Sequence, residues 1–172
     1  MYLTCTNLKC SIKKASVQYE VMGNKFLLLN IILTNELCSN NWCYWRTGIG
    51  TNNPPLEILI DNISGIIKKI TLFISEDEFI KDKDIKFIEE YAEPIFETSI
   101  LIDKYNNHAD KYQVWVNGMK LYCIFEDGGD VEKKINISHD IGCFLNKNNQ
   151  LIGFCVQNSE EDIEYFKEAR LL

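Results

Sequence analysis

Leu56-Glu57-Ile58-Leu59-Ile60, a turn from Asp61 to Gly65, the apolar run 66–74 and then Ser75-Glu76-Asp77-Glu78 read as a hairpin that feeds the acidic start of a helix. The same order of roles returns at residues 141–145, Lys147-Asn148-Asn149, residues 151–156 and Ser159-Glu160-Glu161-Asp162. Few identities survive, chiefly Ile67 with Ile152, Glu76 with Glu161 and Asp77 with Asp162. What repeats is strand, turn, strand, capped acidic helix.

Upstream of each copy lies another hairpin. In the first, Val17, Tyr19 and Val21 alternate with Gln18 and Glu20, the period of a strand with one buried face. Gly23-Asn24 supplies a turn, and residues 26–33 return with apolar side chains at nearly every position, which predicts a strand covered on both faces. In the second, Asn117-Gly118 separates residues 112–116 from residues 119–124. Asn-Gly suits a type I′ turn, and that register places Val114 opposite Leu121 and Val116 opposite Met119, with Trp115 and Tyr122 on the other face. Gln18, Val21, Gly23 and Lys25 align with Gln113, Val116, Gly118 and Lys120.

These patterns predict an α+β fold, mostly antiparallel sheet with few helices, arranged as two similar hairpin-hairpin-helix halves. The halves span residues 16–92 and 111–172, with their join near 103–110, in a single domain covering 1–172. Connectors 34–55 and 126–140 separate the two hairpins of each half. Ser75 and Glu78 form a capping box for a first helix, with Ile80, Phe87, Ile88 and Tyr91 on one face and Pro94 limiting it. The second helix runs from Glu160 to about Leu171 with Ile163 and Phe166 inward, and residues 95–102 read as an extra strand.

A chain of 172 residues buries enough surface to fold without metals or disulfides. Its net charge of −7 disfavours nucleic acid and anionic lipid, which need clustered Lys and Arg, and favours a cationic partner. The seven cysteines include no Cys-x-x-Cys pair, so zinc ribbons and thioredoxin-like sites are not expected, and buried reduced thiols are. No metal or other cofactor is expected. The start lacks the order of a signal peptide, and the run 26–33 is far short of the ~20 apolar residues that cross a bilayer. The expectation is a cytoplasmic protein without membrane contact, a monomer or weak homodimer.

Two connectors hold the candidate binding residues. Trp42, Tyr44, Trp45 and Arg46 combine aromatics with one of only two arginines, either as an interface anchor or as packing over the sheet with Arg46 on a ring. Glu126, Asp127, Asp130 and Glu132 flank Gly128-Gly129, either as a solvated turn or as a face for a basic partner; their spacing is not that of a calcium loop. His108 and His139 are the only histidines and have no metal-ligand spacing. No nucleophile motif is present, so no catalytic residue is expected.

The residues 56–72, Leu-Glu-Ile-Leu-Ile-Asp-Asn-Ile-Ser-Gly-Ile-Ile-Lys-Lys-Ile-Thr-Leu, with the acidic stretch after them, resemble the small immunity proteins of bacterial toxin systems, including contact-dependent growth inhibition. That resemblance implies an acidic, cytoplasmic α+β protein that binds and neutralises a cognate toxin domain, often a basic nuclease, by occluding its active site or substrate groove. The other function weighed is a small-molecule or peptide-binding module with its pocket between the two halves.

Overall fold

The computed structural model describes residues 2–11, 13–34, 41–48, 54–80 and 82–172. The chain opens with β1 (Cys5–Lys9) and lays down β2 (Ser16–Gly23), β3 (Phe26–Ile32), β4 (Trp42–Thr47), β5 (Leu56–Asp61) and β6 (Ile67–Ser75). It then crosses through β7 (Ile88–Tyr91), β8 (Glu93–Phe96) and β9 (Tyr105–Asn107). β10 (Tyr112–Asn117), β11 (Lys120–Phe125), β12 (Lys133–Asn136), β13 (Ile141–Leu145), β14 (Leu151–Gln157) and the helix α1 (Glu160–Glu168) complete it. The α+β reading with mostly antiparallel strands agrees with this, and α1 is the only α-helix among the described residues.

Two six-stranded sheets carry the architecture, ordered β2-β3-β6-β5-β4-β9 and β10-β11-β14-β13-β12-β7. In each, the first five strands are antiparallel neighbours and the sixth is parallel to the fifth. The sixth strands come from the crossing segment: β7 leaves the first sheet to pair with β12 in the second, and β9 returns to pair with β4 in the first. Between them β8 pairs with β1 in a separate two-stranded ribbon.

Alternate residues of both sheets meet in one core. Leu27, Leu29 and Ile31 of β3 and Ile70, Leu72 and Ile74 of β6 belong to the same buried cluster as Leu121, Cys123 and Phe125 of β11 and Phe154 and Val156 of β14. Tyr112 closes the seam, its hydroxyl donating to the Phe73 carbonyl at 2.9 Å. Full burial of side chains of this size contributes roughly 1.5–3 kcal/mol each, so this core dominates the fold.

The first predicted helix does not form. Its cap does: Ser75 N–H and hydroxyl both donate to Glu78 Oε2, at 3.2 and 2.5 Å, and Asp77 N–H donates to Ser75 Oγ at 3.2 Å. The chain then meets the open edge of β10, where Val114 N–H donates to the Glu78 carbonyl and Ile80 N–H to the Val114 carbonyl. An unpaired strand edge and a β-branched, Asp-containing segment together outweigh a lone cap. Ile80, Ile85 and Phe87 consequently cover the outer face of the second sheet, over Trp115, Ile124, Phe144 and Ile152. Ile88 and Tyr91, expected inward, are 61% and 58% exposed.

Three smaller corrections follow the same logic. The β10/β11 turn is centred on Gly118-Met119, so Val114 faces Cys123 and Val116 faces Leu121. Positive φ is needed only at Gly118, 60°, which is the pattern of a type II′ turn. The strand expected at 95–102 is β8, which begins earlier and ends at Phe96. β3 is covered on one face only, with Phe26, Leu28, Asn30 and Ile32 half-buried on the other.

The second helix forms where predicted because its box is complete and nothing competes. Ser159 N–H donates to Asp162 Oδ2 at 2.8 Å and Asp162 N–H to Ser159 Oγ at 3.2 Å. Phe166 is fully buried and packs edge-on against Tyr19 at 5.3 Å, while the Tyr19 hydroxyl donates to Asn158 Oδ1 at 2.7 Å.

Gly65 ties the β5/β6 hairpin to β8. It has φ of 69°, and a Cβ there would overlap the Phe96 carbonyl oxygen, while Phe96 N–H donates to the Gly65 carbonyl at 2.8 Å. Gly65→Ala is expected to cost ~2–4 kcal/mol, combining left-handed strain with the overlap. Urea unfolding would read this, and a loss below ~1 kcal/mol would show that the ribbon simply moves aside.

Candidate functional site

Strand period divides the aromatic stretch between two faces of the first sheet. Trp45 is 1% exposed, inside the sandwich, with ring centroids 5.2 Å from His108 and 5.1 Å from Phe125. Trp42, Tyr44 and Arg46 point the other way and are half-buried. Tyr44 stacks on Tyr105 at 5.1 Å, and the Arg46 guanidinium lies 4.1 Å over the Tyr105 ring while pairing with Glu57. Arg46 therefore does rest on a ring, that of a tyrosine brought in by β9.

The acidic stretch follows β11 as a 3₁₀ turn over Glu126–Gly128. Gly128 is buried against Ile152, and its carbonyl accepts from Asn146 Nδ2 at 2.9 Å, which fixes the turn. Glu126, Asp127, Asp130 and Glu132 are all exposed, and none has an ion-pair partner among the described residues. Lys83 and Lys86 share a shallow groove with Asp84 and Asp130, so charges of both signs stand beside that end of the turn.

Residues 108–111 join the two candidate stretches at one end of the sandwich. His108 N–H donates to the Arg46 carbonyl, Gly48 N–H to the Asp110 carbonyl and Glu126 N–H to the Lys111 carbonyl, at 2.8–2.9 Å. Tyr2 stacks beside Phe125 at 6.2 Å, and its phenol is pushed up to about 12 by burial and then by the charges of Asp110 and Asp127. Burial lowers His108 below the usual imidazole range. Thus the structure brings the acidic turn and the end of β4 together, but directs Trp45 inward and leaves Tyr44 and Arg46 on the outer face of the first sheet.

A second feature was not legible in sequence. Beyond the cover formed by Phe87, the outer face of the second sheet opens into a polar cleft of about 160 Å3. Lys134 and Asn136 of β12, 8% and 4% exposed, stand beside Gly142 of β13 and Cys155 of β14. Lys134 Nζ donates to Glu89 Oε1 at 3.2 Å, and Asn136 Nδ2 has no acceptor. His139 and Asp140 stand at the rim. The only sequence signal was the alternation of Lys134 and Asn136 with Ile135 and Ile137, which puts two polar side chains on one strand face.

Cys5, Cys43, Cys123, Cys143 and Cys155 are free and buried, and Cys10 is free but exposed, unlike the inert buried thiols expected throughout; Cys38 lies outside the described residues. Among the described residues no three His, Cys, Asp or Glu side chains are grouped to hold a metal ion, and no helix is long and apolar enough to cross a membrane. Compared with models of known protein families and with curated proteins, the chain matches none.

Proposed function

We propose that this chain is a non-catalytic binding protein of the immunity type, which neutralises a cognate, basic toxin domain in the cytoplasm by covering its active site or substrate groove. The observation that carries the reading is the turn with Glu126, Asp127, Asp130 and Glu132, four exposed carboxylates without ion-pair partners among the described residues, on a chain of net charge −7. Like charges held together repel one another, and apart from Asp130 beside Lys83 and Lys86, a cationic partner is what relieves that repulsion, and it is drawn in faster. Gly128, locked between Ile152 and Asn146, keeps the turn preorganised. The exposed edge of the Tyr44-Tyr105-Arg46 stack offers an aromatic and guanidinium anchor on the adjoining face, the residue types that dominate binding energy at interfaces. The protein acts as a monomer or weak homodimer.

The identical strand order of the two sheets supports a further reading, that the two halves are copies of one five-stranded unit. On this view β7 and β9 are the exchanged sixth strands that hold the copies together.

Co-expression with the product of the neighbouring gene, scored for a stoichiometric complex and for loss of toxicity, is the test. Reversing all four carboxylates to lysine is expected to slow association about tenfold or more and to flatten its salt dependence. A co-expressed toxin that remains toxic and unbound would refute the reading.

A further inference from the structure

We infer that the polar cleft on the outer face of the second sheet is a binding site for a small monocarboxylate bearing an amino or hydroxyl group. Its carboxylate sits between Asn136 Nδ2 and Lys134 Nζ.

The two donors are buried, and neither has used its full donor capacity. Asn136 is 4% exposed with its Nδ2 lacking any acceptor, and a buried amide left unpaired is costly enough that native proteins rarely tolerate one. Lys134 has three donor hydrogens, of which Glu89 takes one. Both side chains project from β12 on the same face, two residues apart, and both line the cleft. An acceptor with two oxygens in a plane satisfies both.

Gly142 lets the Lys134 stem lie flat on β13. A Cβ at that position would lie 2.6 Å from Lys134 Cε and 3.2 Å from Asn136 Oδ1, so any side chain there would displace Lys134 and press on Asn136. Beside Gly142 stands Cys155, 4% exposed, whose thiol burial pushes toward the neutral form. At about 160 Å3 the cleft is smaller than the ~300–1,000 Å3 of drug-sized pockets, which restricts it to a compact ligand.

The charges at the rim set the class. Lys120 and Lys134 are matched by Glu89 and Asp140, so the lining is balanced overall. A doubly charged phosphate ester would meet two carboxylates. A single carboxylate is accommodated by the buried donors, and an amino or hydroxyl group on the same molecule can donate to Glu89 or Asp140.

Nuclear magnetic resonance titration of the full chain with acetate, glycine and inorganic phosphate tests this. Acetate and glycine are expected to shift the Asn136 side-chain amide and the Gly142 backbone amide saturably, glycine more tightly than acetate. Gly142→Ala should weaken glycine binding about tenfold or more. If that variant does not fold, Lys134→Met serves instead, since it keeps an unbranched stem over Gly142 and leaves Glu89 partly exposed to water. Absence of saturable shifts with acetate and glycine overturns the inference, as does binding that neither variant weakens. A response to phosphate alone overturns the carboxylate assignment. The cleft and the acidic turn are separate sites, so reversing the charges at residues 126–132 should leave glycine binding unchanged, and failure of one reading does not imply failure of the other.

Discussion

Raising the pH from 8 to 10 is expected to remove about 4 kcal/mol of folding stability, an amount that takes many domains of this size close to unfolding. Cys123, Cys143 and Cys155 are at most 4% exposed, and burial pushes all three thiols upward. In the unfolded chain a thiol loses its proton near pH 8.5, whereas in the folded chain Cys123 and Cys143 keep theirs, which accounts for the 4 kcal/mol, and the upward shift of Cys155 acts in the same direction. Below the unfolded value both states hold the proton, and the stabilising contribution is fully present. Above it the unfolded state binds fewer protons, so stability falls by about 1.4 kcal/mol per pH unit for each thiol until the folded value is reached. Tyr19 and Tyr112, also pushed up by burial, add to the loss above pH 10. Urea unfolding at pH 7, 8, 9 and 10 would follow the decline, and Cys143→Val should reduce the slope by about one thiol's share. Constant stability across this range would show that the sandwich core admits water.

Trp45→Ala is expected to destabilise the protein by about 3–5 kcal/mol, against about 1–2 kcal/mol for Tyr44→Ala. The residues are adjacent in sequence and comparable in bulk, so the contrast comes from the sheet. Trp45 fills the space between His108 and Phe125 inside the sandwich, and removing it leaves a cavity that two packed sheets cannot close. Tyr44 gives up one stacking contact with Tyr105 on a half-buried face. Urea midpoints with unchanged m-values would measure both. Equal losses would contradict the division of β4 between two faces. In the immunity reading the order reverses for binding, with Tyr44→Ala and Arg46→Ala weakening the complex while Trp45 matters only through the fold.

The hairpins were largely legible because their signals are local. Alternation in residues 17–21, the paired apolar runs 56–60 and 66–74, and those at 141–145 and 151–156 specify strands whatever surrounds them. The capped helix after Ser159 was equally local, since its box and its inward Phe166 lie within a few residues of one another. The segment after Ser75 has the same cap, yet its course depends on the edge of β10, which is formed by residues more than thirty positions later. The partners of β7 and β9 were likewise invisible, because parallel pairing leaves no turn between the strands to read.

The candidate sites divide in the same way. The acidic turn could be read directly, since four carboxylates around two glycines are exposed in almost any context. The cleft could not: Lys134 and Asn136 look like ordinary polar residues until Gly142 and Cys155 from neighbouring strands are placed beneath them. By itself the sequence determined the eight hairpin strands, one helix and the sign of the charge, all of which follow from residues close along the chain. Tertiary structure alone decided that β7 pairs with β12 and β9 with β4, that Trp45 turns inward while Arg46 turns outward, and that Lys134 and Asn136 are buried beside a glycine of the next strand. Each depends on which distant backbone offers free hydrogen-bonding groups or unfilled space, and no local pattern encodes that.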